Sequence, residues 1–163
     1  MLRNTLMSSA LAVALLGAGP ALAADSTTFE GSYLLVQDNA HKRVLSFAPG
    51  GNVSQVSDQE ASIGFTAGLG TWTPTGPDTV RAVVINFNHD IKETDGGDGA
   101  TRVVYDLTFS DLQDGKYRSL AGSYAGESFD EGQNPVAATQ QPVHTFAADF
   151  IGQRIGAGSG QPA

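Results

Sequence analysis

An all-β fold, a single antiparallel up-and-down barrel of about eight strands, is predicted by three features of the chain. Short runs rich in Val, Ile, Thr, Tyr and Phe recur from Phe29 onward. Turn residues separate them at close and fairly regular intervals. The order is strand, turn, strand, with none of the helical crossovers that parallel strands need.

The first segment stands outside this pattern. Residues 1–23 carry Arg3 and no acid, then the apolar run Leu11 to Ala18, then Ala21-Leu22-Ala23, as in a secretory signal cut after Ala23. The apolar run falls well short of the ~20 residues that span a bilayer, and Gly17, Gly19 and Pro20 break it. The expected location is therefore secreted or periplasmic, with no membrane insertion. The barrel domain is expected over 24–155 and a disordered Gly-, Ser- and Pro-rich tail over 156–163.

Phe29 to Gln37 is the first expected strand, with a turn at Asp38-Asn39. Arg43 to Ala48 is the second, reversed by Pro49-Gly50-Gly51-Asn52 into a third over Asn52 to Ser57. Ser57 to Thr66 reads as a loop or a short helical turn. Gly70 to Thr75 contains the only Trp, Trp72, and turns through Pro74 to Asp78 into Thr79 to Asn88, the most strongly β-forming run. Ala100 to Ser110 and Tyr117 to Phe129 form a hairpin through Asp114-Gly115, a pair that tolerates the positive φ of a tight turn. Glu131 to Pro142 reads as a surface connection. Val143 to Ile155 fits either a strand or a helix behind Thr145, and a strand is favoured because it would close the exposed edges of a seven-strand meander.

Alternation assigns faces. Val103, Tyr105, Leu107 and Phe109 share one side of their run and are expected to be buried. Thr79 to Asn88 is apolar on both sides, which implies a cover on the outside from the C-terminal segment or from another subunit in a homo-oligomer.

Composition narrows the function. The formal charge is −8, and cleavage after Ala23 would remove only Arg3 and make it −9. That excess of carboxylates disfavours binding to nucleic acid or to anionic lipid. With no Cys there is no disulfide, thiolate nucleophile or thiolate metal site. No Gly-x-Ser-x-Gly elbow, phosphate-cradling loop or Ser/His/Asp spacing is present, so hydrolase chemistry has no support and no catalytic residue is assigned.

Gly70-Thr71-Trp72 within a β-meander resembles the calycin superfamily, the lipocalins and avidins, in which a Gly-x-Trp motif sets an indole across one end of an eight-stranded barrel. In those families the motif lies on the first strand, whereas here it falls mid-chain. The wider pattern, Phe47 to Val53, then Gly-Thr-Trp, then Thr79 to Phe87 and Leu120-Ala121-Gly122, is similar to exported bacterial lipocalin-like proteins and to the allene oxide cyclase and dirigent barrels of plants. The resemblance implies a barrel with a cavity open at one end. Lipocalins use such a cavity to hold small apolar ligands; the plant barrels use it to fold a reactive intermediate.

Tyr33, Trp72, Asn86, Phe87, Arg102 and Tyr105 are the candidate ligand-binding residues. The aromatics would line or stack, Asn86 would hydrogen-bond, and Arg102 would orient a polar group if it faced inward. Each also has a plain reading: Trp72 as the barrel plug, the other aromatics as ordinary packing, Asn86 bonded to water, Arg102 on the outside beside Arg81, Asp106 and Glu127. His89, Asp90, Glu93, Asp95 and Asp98 surround Gly96-Gly97 but match no calcium-loop spacing, and His41 and His144 lack sequence neighbours for a zinc site, so no metal and no cofactor is assigned.

The expected function is an exported lipocalin-like barrel that binds a small, largely apolar molecule. The alternatives are a cofactor-free cyclase or isomerase of the allene oxide cyclase type and a protein–protein interaction module.

Overall fold

Polar and apolar residues alternate along these strands, so the sheet they form has one face to bury, and it buries that face by closing on itself. The computed structural model describes residues 25–89 and 99–156. Its strands are β1 (Gly31–Gln37), β2 (Lys42–Ala48), β3 (Asn52–Ser57), β4 (Gly68–Pro74), β5 (Thr79–Asn88), β6 (Gly99–Gln113), β7 (Lys116–Asp130) and β8 (His144–Arg154). Each pairs antiparallel with the next, and β1 pairs with β8, giving a closed barrel in chain order. This is the up-and-down barrel read from the sequence, and its architecture is compatible with a calycin-like barrel. The expected signal segment, the acidic loop positions Asp90, Glu93, Asp95 and Asp98, and tail residues 157–163 lie outside the described residues.

Val143 to Ile155 resolves as β8, whose backbone groups complete the ladders of both β7 and β1. A helix there would have left two sheet edges unpaired. Because this segment is in the wall, it does not cover the outside of β5. Phe87 and Leu69 stay 64% and 72% exposed on that exterior.

The β6–β7 hairpin turns on two residues between the paired Gln113 and Lys116. Asp114 (φ 50°) and Gly115 (φ 71°) both take positive φ, the geometry that matches a two-residue turn to the twist of its strands. Ser57 to Thr66 contains a single wide helical turn, Glu60–Gly64, started where the Glu60 side chain accepts the Ser57 N–H at 2.8 Å.

Inward-facing residues stack in three zones along the barrel axis. One end is aromatic: Phe29, Phe47, Trp72, Phe109, Tyr33 and Tyr117 meet edge to face or stacked, with centroids 5.0–6.1 Å apart. The middle is aliphatic, with Leu35, Leu45, Val53, Val80, Ala82 and Leu120 all buried. At the other end the same strands turn polar.

Candidate functional site

The aromatic end is sealed. Chain entry over it begins with Asp25, whose carboxylate caps a 3₁₀ turn at Ser26–Thr28 by accepting from the Thr27 N–H, and that turn delivers Phe29 into the barrel mouth with no exposure. The Thr27 bonds hold the Asp25 carboxyl below its usual range. Trp72 donates its indole N–H to the Ala48 carbonyl at 3.1 Å, so its one polar group is satisfied while its ring packs on Phe29 and Phe47. Tyr33 is held from both sides. Its hydroxyl donates to the Tyr117 carbonyl and accepts from Arg154 Nη1, each at 3.0 Å, with the guanidinium carbon 5.5 Å from the ring centroid.

The opposite end holds a cavity of about 970 Å³. Its walls combine polar groups (Gln37, Asn39, Arg43, Asn86, Asn88, Thr101, Ser128) with apolar ones (Ile63, Phe65, Val103, Val143, Phe146). Tyr124 lies between the two kinds, and His89, Asp130 and His144 stand at the exposed rim. The volume sits at the upper end of the range of small-molecule sites. Gly126 makes the wall as wide as it is: a Cβ there would run into the Phe146 ring, which lies over the glycine and faces Tyr124 at a centroid distance of 6.0 Å. On the same side of the barrel Thr101 links Asn88 and Ser128 through its hydroxyl at 3.0 and 3.1 Å.

A polar network forms the floor. Arg43, only 7% exposed, donates from Nη1 to the Tyr105 hydroxyl and from Nη2 to the Tyr124 hydroxyl, each at 3.3 Å. The Tyr105 hydroxyl in turn donates to Gln55 Oε1, and the Tyr124 hydroxyl to Gln37 Oε1. Burial pushes the Tyr105 phenol up to about 12, against a smaller opposing pull from Arg43, so the hydroxyl keeps its proton across the physiological range.

The six sequence candidates separate in space. Asn86 lines the cavity, and its Oδ1 is buried without a partner. Tyr105 is in the floor, reaching the cavity through Arg43. Tyr33 and Trp72 belong to the sealed end. Phe87 points outward. Arg102 is also on the outside, hydrogen-bonded to Glu127, its register partner on β7, with its guanidinium 5.5 Å from the Phe129 ring centroid. Arg81 and Asp106 form a second outward pair at 2.8 Å. His41 in the β1–β2 turn approaches Asp58, just after β3, within 3.7 Å.

Arg43, Gln37 and Gln55 escape a reading based on residue type, yet a signal for them was present. Each stands two residues from an inward apolar residue, next to Leu45, Leu35 and Val53 respectively, and so occupies the inward phase of its strand. Among the described residues no group of three or more His, Asp or Glu is placed to hold a metal ion. The chain matches no protein-family model, no curated protein and no solved structure.

Proposed function

We propose that this protein is an exported ligand-binding barrel that holds a small molecule with an apolar body in the cavity at its open end. One observation carries the reading: a single barrel is packed solid at one end and leaves about 970 Å³ at the other, lined by polar and apolar side chains together. Interiors are normally close-packed, and larger side chains at lining positions such as Ser128 and Thr101 would have filled this end. Its lining has the composition of a binding site rather than of a core.

The test is titration with the neutral fluorophore N-phenyl-1-naphthylamine. Saturable binding at one site per barrel is expected, lost in Ser128→Trp, which fills the wall, and retained in Leu69→Ser on the exterior. Absence of saturable binding, or equal binding by Ser128→Trp, rejects the proposal. Export itself is checked by N-terminal sequencing of protein recovered outside the cytoplasm, with Ala24 expected as the first residue.

A further inference from the structure

We infer that the ligand carries an anionic group, a carboxylate, and that it binds with this group on Arg43 at the cavity floor and its apolar body toward Phe65, Val143 and Phe146. The inference rests on the proposed binding function and names the ligand's chemistry.

Direction in the hydrogen-bond network carries the argument. A guanidinium can only donate, so both phenols must accept from Arg43. Each phenol has one proton, which then goes to an amide oxygen, on Gln55 from Tyr105 and on Gln37 from Tyr124. Both amides are thereby turned with their NH₂ groups away from the network, and Gln37 Nε2 and Gln55 Nε2 are buried with no acceptor. Arg43 Nε is buried with no acceptor as well. What the network leaves over is therefore a set of N–H donors, and it carries a positive charge.

Charge balance points the same way. Burying a guanidinium is costly unless an anion offsets it. The chain has 17 Asp and Glu residues, yet no described carboxylate pairs with Arg43; the ion pairs go instead to Arg81, Arg102, Lys116, Arg118 and His41. Among the described residues its compensation is neutral: the two phenol hydroxyls and the face of the Tyr124 ring, 4.5 Å from the guanidinium carbon. A carboxylate is the acceptor that donors of this kind match, and Arg43 and Gln37 both line the cavity. A neutral apolar ligand would leave those donors unmet.

Decanoate and decanol at pH 7, matched in length and differing in charge, are the probes, read by displacement of N-phenyl-1-naphthylamine. Decanoate is expected to displace the fluorophore at concentrations at least tenfold below those of decanol, with the difference abolished in Arg43→Gln. Equal displacement by the two, a preference for decanol, displacement by neither, or a decanoate preference retained in Arg43→Gln overturns the inference while the cavity still binds the fluorophore. Failure of the fluorophore to bind overturns the binding proposal itself and this inference with it. Should Arg43→Gln not fold, the wild-type comparison alone decides.

Discussion

The two ends of this barrel are built from the same strands and have opposite chemistry. The sealed end is built mainly from aromatic and apolar residues, and the polar tips of its buried aromatics have backbone or guanidinium partners: the Trp72 indole on Ala48, the Tyr33 hydroxyl on Tyr117 and Arg154. At the open end the inward residues include Arg43, Gln37, Gln55 and Asn86, each of which keeps a buried polar atom without a partner. A core minimises such atoms and a binding site keeps them, because the ligand is what satisfies them. The comparison separates a packed core from the candidate site within one continuous sheet.

The comparison is broken most directly at Phe109, the residue that touches Phe29, Tyr33, Phe47 and Tyr117. Phe109→Ala is expected to cost about 3–5 kcal/mol in urea unfolding. At the open end, Phe146→Ala is expected to cost less than about 1.5 kcal/mol because the side chain is half-buried, yet to weaken fluorophore binding several-fold. Equal losses of stability at the two positions would remove the distinction.

Next in size is a pH effect. The Tyr105 phenol is pushed up to about 12 from the usual 10.0. A raised folded-state value favours the protonated native form, so this contribution is fully present below pH 10 and is lost as pH rises through 12. Alkaline unfolding monitored by circular dichroism should show stability falling across that window, and Tyr105→Phe should flatten the slope. Tyr33, also raised by burial, would keep part of it. The smallest effect belongs to the exterior. A double-mutant cycle on Arg81 and Asp106, each side chain more than half exposed, should give a weak coupling that fades in 1 M salt.

Much of the fold was legible because strand signals are local. The Asp114-Gly115 turn, the inward phase of Val103 to Phe109 and the plug role of Trp72 each follow from residues near one another in the chain. The site was legible only in part. Asn86 was found as a polar residue in an apolar run, and Tyr105 as an aromatic. Phe87 and Arg102 differ from their neighbours by one position, and a step of one along a strand exchanges inside for outside. Arg43 was missed although its phase with Leu45 and Phe47 was visible, because phase marks an inward residue but not the depth at which it sits.

Alternation, turn chemistry and the absence of helical crossovers were sufficient to determine, from the sequence alone, an antiparallel meander whose strands each have at least one apolar face. Only the tertiary structure decided which end of the closed barrel was sealed, and that Arg43, Tyr105, Tyr124, Gln55 and Gln37 meet at one floor. These residues come from β1, β2, β3, β6 and β7, as far apart in the chain as Gln37 and Tyr124. Closure of β1 against β8 brings them together, and the barrel's curvature then gives residues of different strands a common depth.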